Sequence, residues 1–327
     1  MCIKVMDDAG GGNANSVCSG IEFAIEHGAD VLNMSLGFPN ASNSTREALR
    51  QTYENALEAN VAIVTAVGND GMLNLTFPVP NSVRVPGGCP PPWLHPDQQA
   101  NPGGLSACIA VGAVNSSNKV ADFSSKGPFT WQTTSYEDYP YLPGREIGLI
   151  RPDVCAPGVN IVSCSNTNSG GYASMDGTSQ ATPCVTGVIC LMLQKNSNLT
   201  PAQICETLET TATKLSETKS NETGSGCVNA LLALEKIEDY NDTTGINDNY
   251  MTDVNVYPNP VKDRLYIETS TQIQSIEVYD VYGRLQVTKT PSHQGDLSVD
   301  VSDLNSGIYF VKIKTEEGNI VKRIVKD

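Results

Sequence analysis

The sequence lacks the features that direct a protein into a membrane or onto a nucleic acid. It contains no run of about 18 apolar residues, so no transmembrane segment is predicted. Basic side chains are few: 21 Lys and Arg stand against 36 Asp and Glu, for a net charge of −15. Nucleic acids and anionic lipids attract Lys and Arg, so neither is expected as a partner. The acidic balance is typical of the solvated surface of a soluble protein.

Cysteine is absent from the last hundred residues, although ten cysteines occur earlier in the chain. No two of them have the CxxC spacing, which argues against a zinc site or a redox motif. Cys184, Cys190 and Cys205 lie among apolar residues and are predicted as small buried side chains. Cys89 and Cys108 flank a proline-rich loop and are better disulfide candidates.

Up to about residue 237, the sequence alternates apolar strands with amphipathic helices. Strands are predicted at "CIKVM", "ADVLNMSLG", "VAIVTAVGND", "ACIAVGAV" and within "LIRPDVCAPGVNIVSC". They are mostly continuous apolar runs, which indicates a parallel sheet buried on both faces. Helices are predicted at "SVCSGIEFAIEHG", closed by Gly28, and at "STREALRQTYENALEAN", capped by Ser44 or Thr45. The predicted fold class is α/β, a parallel sheet with helices on both faces.

The segment "SMDGTSQATPCVTGVICLML" changes from a polar loop into an apolar helix. A further helix is predicted at "LTPAQICETLETTAT", with Thr200 as its cap and Pro201 at the first helical position. Residues 71–107 are dense in Pro and Gly and predict a long loop. In the apolar helix that follows Ser179, the side chains predicted to be deeply buried are Val185, Val188, Ile189, Leu191, Met192 and Leu193.

The composition changes at about Glu238. Residues 238–253 are acidic and polar, and they predict a linker. Residues 254–327 contain short strands of alternating apolar residues, which predict a small all-β, immunoglobulin-like sandwich. Turns are predicted at Tyr282-Gly283 and Glu317-Gly318. The residues predicted to lie on one buried side of the last hairpin are Tyr309, Val311 and Ile313.

Three polar segments lie where a strand ends or a helix begins, and function gathers at such ends in parallel sheets. They are Ser35-Leu36-Gly37, Gly68-Asn69-Asp70 and Gly177-Thr178-Ser179. Taken alone, Ser179 is compatible with a helix cap and Asn69 with a turn. Taken together, they fit acyl transfer, in which the backbone N–H of Ser179 and the amide of Asn69 would hold the oxyanion. The first segment would offer backbone groups to an extended peptide.

Several segments, in order, resemble those of the subtilisin-like serine proteases, or subtilases. They are "GIEFAIEHGADVLNMSLG", "VTAVGND", "IAVGAVNSSNKVADFSSKGP", "RPDVCAPGVNIVS" and "GTSQATP". The resemblance covers roughly residues 1–215, apart from insertions near 71–107 and 129–150. It implies a partial subtilisin-like domain over residues 1–237, with Ser179 as the nucleophile and Asn69 as the oxyanion-hole amide. It implies that the residues flanking the substrate are Ser35, Leu36, Gly37, Ala66, Val67 and Gly68.

The chain departs from the family pattern at the general base. The family's catalytic Asp and His both precede the segment at which this chain begins, and neither motif occurs here. The histidines His27, His95 and His293 do not resemble that base and are predicted as surface residues. Cys184 stands where the family commonly has a non-catalytic His. The chain is therefore interpreted as the back two-thirds of a catalytic domain, which also accounts for a start without the basic and apolar stretches of a signal peptide.

The C-terminal module is similar to the sorting domain of type IX secretion in Bacteroidota. The similar segments are "VNVYPNPVKDRLYIE", "IEVYDVYGRL", "LNSGIYFVKI" and "IVKRIVKD". The resemblance implies that residues 254–327 engage the type IX machinery for export across the outer membrane, usually with removal of the module. A β-sandwich appended for binding is the alternative. The edge of the last strand is predicted to carry the basic residues Lys322, Arg323 and Lys326. Two roles are open for them: they protect the strand edge from pairing with another chain, or a receptor recognises them.

Two functions remain open from the sequence. One is a secreted or surface-attached serine endopeptidase, acting on proteins or peptides, of which this chain alone is expected to be inactive or nearly so. The other is a catalytically inactive surface protein that binds peptides in the same cleft. Ser179 and Asn69 together favour the first, since a binder has no need for both. The resemblance implies no required cofactor and no catalytic metal, and it leaves a structural calcium ion open.

Overall fold

The computed structural model describes residues 1–90, 99, 108–132, 137–141, 148–165, 170–242, 254–269, 272–280, 284–291, 297–315 and 319–327. In the part that ends at Asp242 the helices and strands are α1 (Ala14–Glu26), β1 (Val31–Met34), α2 (Asn43–Glu58), β2 (Ala62–Ala66), β3 (Ile109–Val114), β4 (Trp131–Gln132), β5 (Glu137–Asp138), β6 (Val154–Pro157), β7 (Ile161–Cys164), β8 (Tyr172–Met175), α3 (Thr178–Lys195), α4 (Pro201–Thr210) and α5 (Ala230–Asp242).

A parallel sheet with the order β1-β2-β3-β6 forms the centre of this part. Val31 lies opposite Ala62 in the register of β1 and β2, and β3 pairs with β2 and β6 in the same direction. Every residue of β2 and β3 is buried, as expected for strands covered on both faces. The predicted parallel sheet is therefore confirmed.

Helices cover both faces of the sheet, as predicted. On one face, α1 and α2 contribute Ile21, Leu49 and Tyr53 to a cluster that includes Ile63 of β2. On the other face, α3, α4 and α5 pack against β2, β3 and β6 around residues such as Ile189. Each helix buries one apolar stripe, so the two clusters hold the sheet between them.

The helix ends follow local sequence signals, with one shift. Gly28, with φ of +76°, follows the end of α1 as predicted. Thr200 caps α4 in a reciprocal pair of hydrogen bonds with Gln203, also as predicted. The cap of α2 is instead Ser42, whose hydroxyl accepts the backbone N–H of Thr45 at 3.3 Å. The prediction of Ser44 or Thr45 was wrong because both are already inside the helix.

The predicted strand "CIKVM" is not a strand in the structure. Within it Met6 makes one isolated bridge, to Gly12. Val5 packs instead against α1, where a Cβ added at Gly20 would lie 2.4 Å from Val5 Cγ1. This short run therefore contacts a helix face rather than a strand edge.

The burial of two side chains of α3 and the state of one predicted disulfide pair differ from the sequence-based predictions. Val185, Val188, Ile189 and Met192 are buried as predicted and Leu193 is partly buried, but Leu191 is 46% exposed. Cys190 is also exposed, Cys184 is half-buried and Cys205 is buried. The helical period turns residues 190 and 191 away from the sheet. None of the ten cysteines forms a disulfide bond, including the buried candidates Cys89 and Cys108.

The C-terminal module consists of two antiparallel sheets. Its strands are β9 (Asn255–Tyr257), β10 (Arg264–Glu268), β11 (Ile273–Asp280), β12 (Leu285–Lys289), β13 (Ser298–Asp300), β14 (Gly307–Thr315) and β15 (Asn319–Lys326). The sheet orders are β13-β10-β9 and β12-β11-β14-β15. Tyr309, Val311 and Ile313 are buried, as predicted. The all-β prediction for this module is confirmed.

Strand β15 lies at the edge of its sheet, as predicted for the basic group. Lys326, however, is 9% exposed, because Val261 pairs alongside it and closes that end of the edge.

The predicted turns Tyr282-Gly283 and Glu317-Gly318 lie outside the described residues. Helix α5 ends at Asp242, so it takes up the first five residues of the stretch predicted as a linker, and the rest of that stretch is also outside the description. No helix of the described residues is both long and apolar enough to cross a membrane.

Candidate active site

The three polar segments meet at the carboxyl edge of the parallel sheet. β1 ends at Met34, β2 ends at Ala66, and α3 begins at Thr178. One cavity is lined by residues from all three segments, including Ser35, Asn69 and Ser179. Of the other predicted substrate-flanking residues, those that line it are Leu36, Gly37, Ala66 and Gly68.

Val67 is the predicted substrate-flanking residue that does not line this cavity. Its side chain is fully buried in the core on the α1 and α2 side of the sheet. Side chains alternate along extended backbone, so Val67 points away from the cleft while Ala66 and Gly68 border it. The backbone carbonyl of Val67 accepts the N–H of Arg84 at 2.8 Å.

Ser179 lies in the first turn of α3 and is half-buried. Its hydroxyl donates to the backbone carbonyl of Ser35 at 3.2 Å, and the hydroxyl of Ser35 donates to the carbonyl of Ser179 at 2.9 Å. The helix N-terminus favours negative charge at this point, because the first backbone N–H groups have no partner within the helix. Among the described residues the backbone N–H of Ser179 has no hydrogen-bond acceptor.

The amide of Asn69 is held in one orientation by the residue before the serine. Its Oδ1 accepts the backbone N–H of Thr178 at 2.9 Å and the Thr178 hydroxyl at 3.0 Å. A backbone N–H can only donate, so the oxygen of the amide must face Thr178 and the NH2 group must face the other way. Asn69 is exposed, and its NH2 group is therefore available to a ligand in the cleft.

Gly177 leaves open the space beside both donors. A Cβ added there would lie 3.1 Å from Asn69 Nδ2 and 3.6 Å from the backbone N of Ser179. It would also lie 2.6 Å from Gln180 Oε1, so the end of that flexible side chain would have to move. With φ of +156°, Gly177 also has a backbone conformation that other residues rarely adopt. The two N–H donors thus border one small space that glycine keeps empty.

Thr178 connects two of the polar segments, and sequence reasoning gave it no role. Its hydroxyl accepts the backbone N–H of Gly68 at 3.2 Å and donates to Asn69 Oδ1. The side chain is 1% exposed, so these bonds form away from water. The sequence does show a hydroxyl residue directly before the serine. It does not show that the hydrogen-bond partners of Thr178 are more than 100 residues away in the chain.

Arg84 and Ser125 support the loop that carries Asn69, and sequence reasoning missed both. Arg84 makes a two-point ion pair with Asp70, with distances of 2.6 Å from Nε and 2.8 Å from Nη2. Asp70 is 2% exposed, and its hydrogen bond with Arg84 raises the pKa of the guanidinium. Ser125 Oγ accepts the backbone N–H of Asp70 at 3.0 Å, and the backbone N–H of Ser125 donates to the carbonyl of Gly68.

No histidine of the described residues contacts Ser179. His27 is exposed at the end of α1, as predicted, and its Nδ1 lies 2.7 Å from the carbonyl of Phe23. His95 and His293 lie outside the described residues.

Cys184 lies one turn after Gln180, whose carbonyl its thiol contacts at 3.5 Å, and burial raises the pKa of that thiol. Within the described part of the chain, no group of three or more His, Cys, Asp or Glu is arranged to hold a metal ion.

Comparison with known protein families gives two matches. A model described as the subtilase family matches residues 1–226, and one described as a secretion system C-terminal sorting domain matches residues 255–327. Such a sorting domain implies handling by type IX secretion, so the protein is secreted or attached to the cell surface.

Curated relatives are subtilisins and similar serine proteases. Subtilisin E of Bacillus subtilis (strain 168) is 34% identical over 233 residues, which are 71% of this chain and 48% of that protein. Serine protease AprX of the same organism is 30% identical over 256 residues, covering 70% of this chain and 49% of that protein. The chain thus spans about half the length of these relatives.

Solved structures support the fold. A crystal structure of a lanthipeptide protease has a TM-score of 0.51 and 20% identity, and the alignment covers 72% of this chain and 69% of that chain. The self-cleaved protease domain of PatA has a TM-score of 0.50 and 22% identity, with 71% of each chain covered. The subtilisin-like fold is therefore shown by structure as well as by sequence. Since the family model matches more than half of its length, this chain belongs to the subtilase family.

Proposed function

We propose that this chain provides the nucleophile and the oxyanion hole of a serine endopeptidase that is exported by type IX secretion. The observation that carries the proposal is the arrangement around Gly177. The backbone N of Ser179 and the Nδ2 of Asn69 both border the space that a Cβ at Gly177 would fill, and Ser179 also carries the hydroxyl. Two N–H donors next to a serine hydroxyl are what a tetrahedral acyl-transfer intermediate requires.

In the proposed reaction, the Ser179 hydroxyl attacks the carbonyl carbon of a peptide bond. The carbonyl oxygen becomes an oxyanion and accepts hydrogen bonds from Ser179 N–H and the Asn69 amide. The helix N-terminus adds favourable electrostatics for the negative charge. Asn69 need not reorganise during the step, because Thr178 already fixes the orientation of its amide.

The attack also requires a base to remove the hydroxyl proton. Among the described residues Ser179 Oγ has one hydrogen-bond partner, the carbonyl of Ser35, and a backbone carbonyl cannot act as that base. A positioned general base contributes about 10²–10⁴-fold. The family's Asp and His motifs do not occur in these 327 residues, so the proposed activity belongs to a protein that also contains them.

The cleft offers two walls to an extended peptide. Ser35, Leu36 and Gly37 continue from the end of β1, and Ala66 and Gly68 border the other side. β1 is one of the two edge strands of the sheet among the described residues. Peptides are therefore the proposed substrates, and no cofactor is required for this chemistry.

The second candidate function is peptide binding without catalysis. It is favoured by the hydrogen bond that the Ser179 hydroxyl donates to the backbone carbonyl of Ser35. That carbonyl is not basic enough to remove the hydroxyl proton. Hydrolysis of casein by two forms separates the candidates: this chain alone, and the chain extended by the family's Asp and His segment. The proposal predicts turnover by the extended form that Ser179→Ala abolishes, and little or none by the chain alone. A folded extended form that binds peptides without Ser179-dependent turnover supports the binding function instead.

A further inference from the structure

The cleft has a slot between its two walls, next to the serine. Gly37 lies on one wall and Gly68 on the other, and both border the cavity that contains Ser179. In the complex that the proposed function requires, a peptide would run between the walls with its carbonyl oxygen at the Ser179 and Asn69 donors, and the side chain on the acyl side of the scissile bond would enter this slot. The contents of the slot therefore decide which side chain fits.

The aliphatic stem of Arg84 already occupies part of the slot. A Cβ added at Gly37 would lie 2.8 Å from Arg84 Cβ, and one added at Gly68 would lie 2.8 Å from Arg84 Cγ. The stem thus packs in close contact with the backbone of both walls. Arg84 itself borders the cavity, and its side chain is about one-third exposed at 32%.

Both ends of Arg84 are fixed. Its backbone N–H donates to the carbonyl of Val67, and its guanidinium makes the two-point ion pair with Asp70. Asp70 is 2% exposed, so moving the guanidinium away would leave a buried carboxylate without its counter-ion. Such a loss is strongly unfavourable. A substrate side chain is therefore not expected to push Arg84 aside.

We propose that Arg84 is a specificity-determining residue that restricts the acyl-side position to short side chains such as those of Ala and Ser, an inference that rests on the proposed peptidase function. The methylene stem fills the volume that a large aromatic side chain would need. Differences of this kind in a packed pocket change selectivity by about 10–200-fold per methylene group. The ion pair with Asp70 keeps the stem in position and is not itself the recognition element.

Equilibrium binding tests this inference without requiring catalysis. N-acetyl tripeptides with a free carboxylate, Ala-Ala-Ala, Ala-Ala-Phe and Ala-Ala-Glu, are titrated into the 327-residue chain while the amide signals of Gly37 and Gly68 are followed by NMR. The parent chain is expected to bind the peptide ending in Ala at least about tenfold more tightly than the one ending in Phe. Arg84→Ala/Asp70→Asn, which removes the stem without stranding a buried charge, is expected to remove or reverse that preference.

Two further variants isolate the volume of the stem. Arg84→Met/Asp70→Asn keeps a long unbranched side chain and is expected to retain the preference for Ala. Arg284→Ala breaks a similar ion pair with Asp280 in the C-terminal sheet, where Nε and Oδ2 are 2.7 Å apart, and is expected to change nothing in the cleft. Unfolding curves confirm that each variant is folded.

Equal affinity of the parent for the Ala and Phe peptides would overturn the inference, as would tighter binding of the Glu peptide or no binding of any peptide. Hydrolysis by the extended protein is measured separately. A binding preference that follows the Arg84 stem, without any Ser179-dependent hydrolysis, would refute the proposed function and leave the inference about the slot in place. Ser179-dependent hydrolysis that is equally fast after Ala and Phe would support the proposed function and refute the inference about the slot.

Discussion

Ser179 and Ser35 exchange hydrogen bonds across the cleft. The Ser179 hydroxyl donates to the Ser35 carbonyl at 3.2 Å, and the Ser35 hydroxyl donates to the Ser179 carbonyl at 2.9 Å. The residues are 144 positions apart in the chain, and their contact joins the end of β1 to the first turn of α3. The nucleophile of the proposed mechanism is therefore held at a fixed position against the wall that would bind substrate.

Loss of the Asn69 amide is expected to slow the chemical step. In the extended, active protein, Asn69→Ala removes one donor to the oxyanion, so kcat should fall by about 10²–10³-fold with KM little changed. That is the magnitude that loss of one such donor has in subtilisin, itself a relative of this chain. Steady-state kinetics on a peptide substrate measures it. An unchanged kcat would remove Asn69 from the oxyanion hole.

Thr178 is predicted to act through Asn69 as a positioning residue. Thr178→Val keeps the shape but removes the hydroxyl that bonds Asn69 Oδ1 and the N–H of Gly68. We expect kcat to fall by about tenfold, because the backbone N–H of residue 178 still holds the amide in part. Thr178→Ser restores the hydroxyl and should recover most of kcat. Equal loss in both variants would indicate a packing role instead.

The space beside the two donors predicts a sharp effect of Gly177→Ala. The added methyl group would lie 3.1 Å from Asn69 Nδ2 and would occupy the space next to that donor, so kcat should fall by about two orders of magnitude while the protein still folds. Steady-state kinetics and thermal unfolding measure the two effects.

Gly187→Ala is the matched control in the same helix. No atom lies within 4 Å of a Cβ added at Gly187, which is exposed. This change should leave kcat unaltered and raise the free energy of unfolding by about 0.5–1 kcal/mol, since Ala favours helix over Gly. Full activity of Gly177→Ala would show that this space is not used in the reaction.

Buried thiols predict that stability falls at alkaline pH. Burial raises the pKa of the Cys108 thiol to about 12, and burial also raises the pKa values of Cys89 and Cys155. Above about pH 9, an unfolded thiol loses its proton while the buried one keeps it. The unfolded state then binds fewer protons, so the free energy of unfolding falls by about 1.4 kcal/mol per pH unit for each such group.

Denaturant unfolding between pH 8 and pH 11 measures this slope. Cys108→Ala should make the slope shallower by about 1.4 kcal/mol per pH unit, whereas Gly187→Ala, which removes no titratable group, should not change it. An identical slope in Cys108→Ala would mean that this thiol titrates normally in the folded protein.

Much of the fold could be predicted because its signals are local. Apolar runs identified the strands β2 and β3, helical spacing identified α1 and α2, and the switch to alternating residues identified the C-terminal sheets. "CIKVM" was misassigned for the same reason, since a short apolar run does not reveal whether it contacts a strand or a helix. The direction of Val67 depends on the alternation at the strand end, which the sequence motif did not resolve.

The candidate site could be predicted only in part. Ser179 and Asn69 could be proposed as site residues from the sequence because each belongs to a recognisable segment. Thr178, Ser125 and Arg84 were missed because their roles depend on contacts between distant parts of the chain, 110 positions for Thr178 with Gly68 and 55 for Ser125 with Asp70. No local pattern records such contacts.

Labelling by a fluorophosphonate probe tests the central claim most directly, since the probe phosphonylates an activated serine hydroxyl. The extended protein is treated with the probe and digested, and the modified residue is identified by mass spectrometry, with Ser179→Ala as the matched control. The account predicts one modified serine, Ser179, and no modification of the Ser179→Ala variant. Labelling that persists in that variant, or no labelling of a folded extended protein, would contradict the assignment of Ser179 as the nucleophile.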